Sequence, residues 1–345
     1  MNRDIPEIKT NVDLSPYNTL SISAVATEFV DITSKNQLQE LYKSGFFEDK
    51  QPFVLGGGSN ILFLDDPSQP IMKISIRGKE ILGEGSEFVK INVGAGENWH
   101  EFVTWAVENN YGGTENLALI PGTVGAAPIQ NIGAYGVELE NVFDSLELFD
   151  MQEGSFKTFY KHDCKFGYRD SVFKQDLKGK IVVTGVTLRL STKNHTIEDS
   201  YNSLQSCLSD KKISNPSIRD IYDTVIEIRR SKLPDPNLIG NAGSFFKNPI
   251  MNAKDFKVLQ ERYEEIPFYK LNHNQVKIPA AWLIEKTGWK GKRIGDVGTY
   301  KNQALVIVNH GSASGSEIFK FSKMICESVQ EKFGIELVPE VNVVE

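Results

Sequence analysis

The segment from residue 120 to residue 139 constrains the fold of this chain more than any other. Its twenty residues include four glycines, two prolines and one charged side chain. Glycine adopts backbone angles closed to other residues and lets another group approach the main chain, whereas proline interrupts helices and sheets. The segment is therefore predicted to be a loop that contacts a bound ligand, rather than an ordinary helix or strand.

A second glycine-rich turn lies at Gly56–Asn60, with the sequence Gly-Gly-Gly-Ser-Asn. It separates two short apolar runs, Phe53–Leu55 and Ile61–Leu64, which are predicted to be strands. Successive backbone N–H groups in such a turn suit phosphate oxygens. Taken alone, the turn is equally well explained by a structural role, but the two segments together favour a phosphate-containing ligand.

The two common nucleotide-binding motifs are absent. Gly94-Ala95-Gly96 is followed by Trp99 where Gly-x-Gly-x-x-Gly requires a third glycine, and no Gly-x-x-x-x-Gly-Lys-Ser/Thr occurs. A phosphate-containing ligand must therefore bind in another type of glycine loop.

Composition indicates a soluble globular protein. A length of 345 residues is sufficient for two or three domains. The formal net charge of -7 argues against a nucleic-acid partner. The N-terminus lacks the pattern of a signal peptide and no apolar stretch is long enough to cross a membrane, so we expect a cytoplasmic protein with no membrane partner. We also expect a monomer.

Cysteine and histidine give no indication of a metal or disulfide site. The three cysteines are far apart and lack a Cys-x-x-Cys spacing, so they are predicted to be reduced and buried. The five histidines show no ligand spacing. We therefore predict no metal site.

Hydrophobic periodicity predicts mixed strands and helices without repeating β-α-β units, which is typical of an α+β fold. Asn98 is predicted to cap a helix. An amphipathic helix from Ser217 to Lys232 should end at the Leu-Pro-Asp-Pro sequence that follows, and the alternating run Ile335–Val344 is predicted to be a half-buried strand. Further helices are expected at 36–43, 253–263, 277–287 and 315–333, with a strand at 304–308.

Five motifs closely resemble those of the UDP-N-acetylenolpyruvoylglucosamine reductase family and occur in the family's order and spacing. The resemblance covers nearly the whole chain. The motifs are Gly56–Asn60, Ile120–Leu139, Gly167–Lys174, Gly240–Pro249 and Pro339–Val341. The resemblance is to the longer form of the family, in which a tyrosine loop closes over the substrate.

The resemblance implies a fold with a two-part FAD-binding module of the vanillyl-alcohol oxidase type and a smaller α+β substrate-binding domain. The expected divisions are residues 1–75 for the first FAD-binding subdomain, 76–232 for the second, and 233–334 for the substrate-binding domain. The C-terminal strand at 335–345 is expected to return to the first subdomain.

The resemblance also implies the reaction. NADPH donates a hydride to non-covalently bound FAD, and UDP-N-acetylglucosamine enolpyruvate then receives it and becomes UDP-N-acetylmuramate, a precursor of peptidoglycan. FAD is expected to bind through the two glycine loops, at Gly56, Gly57, Gly58, Ser59, Asn60, Ile120, Pro121, Gly122, Thr123, Gly125 and Ala126.

Three residues match the catalytic positions of the family. Ser244 would be the proton donor, although a loop serine is otherwise most often a turn or capping group. Arg169 would stabilise charge on the enolpyruvyl carboxylate, where the alternative is a surface cation paired with Asp170. Glu340 would stabilise the enol-like intermediate, where the alternative is a solvent-facing residue of a strand.

Four residues match family positions that face the nucleotide-sugar. Tyr201 corresponds to the tyrosine of the closing loop, and Lys232, Asn248 and Gln303 are expected to contact the same substrate. Without the resemblance, all four would be interpreted as solvated polar groups.

Three other classes of function are left open by the residues. A flavin oxidase would share the glycine loops, and a nucleotide-sugar binding protein would lack the redox activity. A penicillin-binding serine acyl enzyme is suggested by Ser-x-x-Lys at Ser244, Lys-Thr-Gly at Lys286 and Ser-x-Asn at Ser200, but Ser-x-Asn precedes the other two motifs rather than separating them.

Overall fold

Several helices begin where the sequence supplies a capping side chain. The side chain of Asn98 accepts a hydrogen bond from the backbone N–H of Glu101, which confirms the predicted N-cap. The longest helix begins at a capping box formed by Ser314 and Glu317 and ends at Gly334, whose φ is +68°. Local sequence therefore determines the boundaries of these helices.

The chain is described by a computed structural model that covers residues 4–345. Its helices are α1 Lys35–Lys43, α2 Trp99–Glu108, α3 Asn202–Asp210, α4 Ile218–Lys232, α5 Ala253–Arg262, α6 Ala280–Lys286 and α7 Gly315–Phe333.

The strands up to residue 200 are β1 Ile8–Asp13, β2 Val25–Ile32, β3 Phe53–Leu55, β4 Ile61–Phe63, β5 Ile71–Ile74, β6 Lys79–Glu84, β7 Phe88–Gly94, β8 Gly133–Ala134, β9 Val137–Glu138, β10 Phe143–Asp150, β11 Ser155–Tyr160 and β12 Ile181–Ser191. The remaining strands are β13 Gly240–Ser244, β14 Ile250–Asn252, β15 Tyr269–Lys270, β16 Gln275–Lys277, β17 Arg293–Ile294, β18 Val297–Tyr300, β19 Gln303–Asn309 and β20 Asn342–Val344.

Unit 1 comprises the described residues up to Val12, Val25–Gly58 and Pro67–Arg230. One sheet has the order β1-β2-β5-β3, with β5 parallel to both β2 and β3, and a five-stranded sheet has the order β11-β10-β12-β7-β6. The core between these elements is apolar and includes buried residues of β7, β10, β12 and α2. Unit 1 contains Gly56–Gly58 of the first glycine loop and the whole of the second glycine-rich segment, residues 120–139.

Unit 2 comprises Asp13–Ala24, Ser59–Asp66 and Ser231–Glu345. Its main sheet is antiparallel, with the order β13-β19-β18-β17. The C-terminal strand β20 pairs in parallel with β4, directly after the first glycine loop. Three sequence segments thus contribute to this unit.

Several predicted elements differ from those observed. The predicted strand from Ile335 to Val344 is reduced to β20, because Pro339 lacks an N–H and the preceding segment forms only an isolated bridge. The helix predicted at 277–287 begins at Ala280, after β16 and Pro279. Helix α3 was not predicted, since only Leu204 and Leu208 are buried in it.

The predicted ligand loop at 120–139 contains short regular elements. Val124–Gln130 forms a 3-10 helix, and β8 and β9 form a two-stranded hairpin. The segment is therefore not the uninterrupted loop that the sequence predicts, although it forms no α-helix and no strand longer than two residues. In the described part of the chain, no helix combines the length and the apolar character needed to cross a bilayer.

Candidate active site

The two glycine loops meet within unit 1. A Cβ atom on Gly57 would lie 2.8 Å from the Cα atom of Gly122, and one on Gly56 would lie 2.7 Å from Oγ1 of Thr123. Both distances are too short for a real side chain, and the obstacle at Gly57 is backbone. Only glycine allows this close approach.

The second loop is fixed to the N-terminus of α2 by backbone hydrogen bonds. Trp99 N donates to Gly122 O at 3.0 Å, and Val124 N donates to Glu97 O at 2.9 Å. None of the described groups accepts a hydrogen bond from the amides of Gly122 or Thr123. These amides therefore remain available to an anion such as a phosphate group.

His100 supports the start of the same loop. Its Nδ1 atom accepts a hydrogen bond from Leu119 N at 3.1 Å, and its ring stacks on Tyr222 at 6.0 Å between centroids. Burial lowers the pKa of His100, and the positive charges of Arg230 and Arg229 lower it further. The neutral imidazole is therefore the form that holds Leu119.

Arg169 reaches the other end of the loop. Its guanidinium Nη2 donates to Gly133 O at 2.5 Å, and its backbone has a positive φ of 54°. The carboxylate of Asp170 accepts hydrogen bonds from Ser171 N and from Gln175. The guanidinium is thus held against the glycine-rich segment.

Arg229 is a candidate functional residue that the sequence did not reveal. It lies in α4, and its Nε atom is buried without a hydrogen-bond partner among residues 4–345. Burial lowers the pKa of its guanidinium, and the charge of Arg169 lowers it further, whereas Tyr135 raises it. Two guanidinium groups thus contribute positive potential to one region, which favours an anionic ligand. Helical periodicity alone could not distinguish Arg229 from the exposed Arg230.

Ser244 and Glu340 are brought close by backbone pairing within unit 2. Ser244 is the last residue of β13. The next residue, Phe245, accepts a hydrogen bond at its carbonyl from Glu340 N at 2.8 Å, and Phe246 forms an antiparallel bridge with Pro339. The proton donor and the acid implied by the family resemblance therefore lie on neighbouring extended segments.

The surroundings of Ser244 differ from the predicted loop. The residue ends a strand rather than lying in a loop, and it is exposed in the described structure. The rings of the next two residues, Phe245 and Phe246, are both 1% exposed and pack into the core. Extended geometry also places Ser244 and Lys247 outside any helix, contrary to what a serine acyl enzyme would require.

Tyr201 lies at the N-terminus of α3 and is 38% exposed. Its ring contacts that of Tyr135 edge to face, with 5.4 Å between centroids. This contact connects the predicted closing segment to the glycine-rich loop between β8 and β9.

The other predicted substrate contacts occupy separate positions in unit 2. Lys232 is the exposed last residue of α4. Asn248 accepts a hydrogen bond at Oδ1 from Ala280 N at 2.9 Å, at the start of α6. Gln303 begins β19, and its Oε1 accepts a weak hydrogen bond from Leu305 N at 3.4 Å.

Comparison with known proteins identifies the family. The chain is 46% identical to the UDP-N-acetylenolpyruvoylglucosamine reductase of Flavobacterium johnsoniae, over 98% of this chain and 100% of that protein. It is 41% identical to the reductase of the same name from Pseudomonas aeruginosa, over 97% and 98% of the two chains. The chain belongs to the UDP-N-acetylenolpyruvoylglucosamine reductase family.

Two family models match separate parts of this reductase family member. Residues 27–159 match the FAD binding domain, and residues 235–344 match the UDP-N-acetylenolpyruvoylglucosamine reductase, C-terminal domain. The crystal structure of the reductase from Thermus caldophilus superposes with a TM-score of 0.69 at 24% identity, covering 99% of this chain and 100% of that one. The predicted α+β fold and the assignment of FAD as cofactor are confirmed.

Proposed function

We propose that this chain catalyses the NADPH-dependent reduction of UDP-N-acetylglucosamine enolpyruvate to UDP-N-acetylmuramate. The relationship to reductases over 98% of the chain is the observation that carries the proposal. FAD held by the two glycine loops would supply the redox chemistry, which is the passage of a hydride from NADPH to the substrate double bond. The remaining steps depend on the side chains and amides of this chain.

The two glycine loops hold the FAD diphosphate. The backbones of Gly57 and Gly122 approach each other closely, with only 2.8 Å from a Cβ on Gly57 to Cα of Gly122. Backbone amides in such loops stabilise phosphate oxygens without a basic cluster, which suits a chain with a net charge of -7. The contacts are non-covalent and involve the residues from Gly56 to Asn60 and from Ile120 to Ala126.

Arg169 holds the enolpyruvyl carboxylate. A guanidinium donates two parallel hydrogen bonds to a carboxylate, and the bond to Gly133 O fixes its orientation. Arg229 adds a second positive charge to the same region. Charge that builds on the carboxylate during hydride transfer is thereby stabilised.

Ser244 donates a proton to the substrate carbon that bears the carboxylate. The pairing of Glu340 N with Phe245 O keeps the Ser244 and Glu340 segments in register, so that Glu340 stabilises the intermediate on which the proton arrives. A positioned acid contributes about 10²- to 10⁴-fold to a rate. Substrate binding displaces water from the exposed Ser244 hydroxyl.

Tyr201, Lys232, Asn248 and Gln303 bind the nucleotide-sugar. Tyr201 and Lys232 are exposed and carry donors suited to a diphosphate. The protein acts as a cytoplasmic monomer. We retain 1–75, 76–232 and 233–334 as the proposed domain division, with 335–345 assigned to the first subdomain.

The test is an anaerobic titration of the purified protein. NADPH should bleach the flavin absorbance, and the enolpyruvyl nucleotide-sugar should restore it while UDP-N-acetylmuramate appears in the mass spectrum. A colourless protein would indicate a non-catalytic binding protein. Oxygen consumption with simple sugars, or a covalent β-lactam adduct, would indicate one of the other two classes instead.

A further inference from the structure

Asn116 joins two segments that are far apart in the sequence. Its side chain is buried, with 1% exposed, and its Nδ2 donates to Tyr135 O at 2.9 Å and to Glu198 O at 2.7 Å. A side-chain amide has two N–H donors, so each hydrogen is used on one of these carbonyls. The contact links the loop between β8 and β9 to the segment that precedes Tyr201.

The two linked segments pack on each other beyond these hydrogen bonds. The Glu198 carboxylate accepts hydrogen bonds from the backbone N–H and the hydroxyl of Ser200. Gly136 has a φ of +88°, and a Cβ atom there would lie 2.9 Å from Cγ of Glu198. The rings of Tyr135 and Tyr201 are in edge-to-face contact. Residues 198–201 thus form a structured segment on the glycine-rich loop.

We propose that Asn116 is a positioning residue, which fixes the Tyr201 segment so that the tyrosine hydroxyl is presented to the substrate diphosphate. This inference rests on the assignment of Tyr201 under the proposed function. Glu198 is three residues from Tyr201, a distance that the chain spans in at most about 10 Å. Fixing the Glu198 carbonyl therefore restricts where the Tyr201 side chain can lie.

Loss of the amide should act on substrate binding alone. Without Asn116 Nδ2, two partly buried carbonyls lose their donor, and the Tyr201 segment is free to leave the loop. The flavin loops at Gly56–Asn60 and Ile120–Ala126 keep their own backbone contacts. The rate of flavin reduction by NADPH should therefore be unchanged.

The test is a double-mutant cycle of Asn116→Leu and Tyr201→Phe. Leucine has the same branched shape but no donor, and Asn116→Leu should raise KM for the enolpyruvyl substrate about tenfold with kcat, flavin content and NADPH half-reaction unchanged. In the Tyr201→Phe background the same substitution should change KM by less than about twofold. An undiminished effect in that background, or an unchanged KM in the single variant, would overturn the proposal.

Thr184→Val provides the matched control for lost stability. Thr184 is a buried residue of the same unit, 1% exposed, whose hydroxyl donates to the Glu147 carboxylate at 2.7 Å. The Thr184→Val substitution should lower Tm without changing KM. A rise in KM equal to that of Asn116→Leu would show that general destabilisation explains the Asn116 result. If Asn116→Leu does not fold, Asn116→Ser gives the same comparison.

Failure of the inference can be separated from failure of the proposed function. A wild-type protein that does not reduce the enolpyruvyl substrate would contradict the function itself, and with it the basis of the inference. A wild-type protein that reduces it, together with an Asn116→Leu variant of normal KM, would contradict only the role of Asn116.

Discussion

The side-chain amide of Asn60 donates a hydrogen bond to the main-chain carbonyl of Glu340, with 3.2 Å between the two atoms. The carbonyl of Asn60 in turn accepts hydrogen bonds from the backbone and side chain of Asn342, each at 3.0 Å. The residue that ends the first glycine loop thus holds the segment that carries the proposed acid, although 280 positions separate them.

Asn60→Ala should slow the substrate half-reaction by about tenfold, because one hydrogen bond that orients the Glu340 backbone is lost. Flavin content should remain near normal, since the loop binds through backbone amides. Stopped-flow absorbance and the ratio of flavin to protein measure the two quantities. Tyr263→Phe removes a comparable bond to Lys332 O in the same unit and should leave both unchanged.

Gly57→Val should yield folded protein with little bound flavin. The new side chain would collide with the backbone of Gly122, 2.8 Å from its first carbon, and the two loops would separate. Gly83→Val is the control, because nothing lies within 4 Å of a Cβ at Gly83 and the position is in a strand. Equal flavin content in both variants would place the cofactor elsewhere.

Arg169→Lys should weaken binding of the enolpyruvyl substrate by about 1–3 kcal/mol, because an ammonium cannot form the paired hydrogen bonds of a guanidinium. UDP lacks the carboxylate, so its affinity should not change. Calorimetric titration with both ligands tests the assignment. Parallel losses for UDP and substrate would indicate that Arg169 does not contact the carboxylate.

Acidification should loosen the start of the second glycine loop. His100 has a folded-state pKa below its ordinary value of 6.5, so its stabilising effect is complete above 6.5 and is lost as pH falls through the lower, folded pKa. Protonation of Nδ1 removes the acceptor for Leu119 N. The charged groups that face the ring are Arg230, Arg229 and Glu101.

Flavin retention should therefore fall as pH drops below 6.5, and His100→Gln, whose amide oxygen also accepts, should reduce this pH dependence. Fluorescence of released flavin against pH measures the effect. An identical pH profile in wild type and variant would show that protonation of His100 does not control flavin retention.

Local sequence was sufficient for elements that carry their own boundary residues. Asn98 and Ser314 mark the starts of α2 and α7, and apolar periodicity predicted α4. Helix α3 was missed because only Leu204 and Leu208 are buried in it, too few to form a recognisable apolar face. The C-terminal strand was predicted too long because alternation does not reveal whether a neighbouring strand is present.

The candidate site was predictable only where a motif marked it. Glycine loops and the residues near Ser244, Arg169 and Glu340 are recognisable in the sequence. Arg229 and Asn116 have no such motif, since their roles arise from burial and from carbonyls that are distant in sequence. Such roles require the folded structure.

The most direct measurement is anaerobic stopped-flow absorbance of Ser244→Ala, with Glu340→Gln beside it. Flavin reduction by NADPH requires no proton on a substrate carbon, so the flavin absorbance of both variants should bleach at nearly the wild-type rate. Reoxidation by the enolpyruvyl substrate requires that proton and should slow by roughly 10²- to 10⁴-fold. Equal losses of rate in the two half-reactions, or normal reoxidation of the flavin in Ser244→Ala, would contradict the assignment of Ser244 as the proton donor.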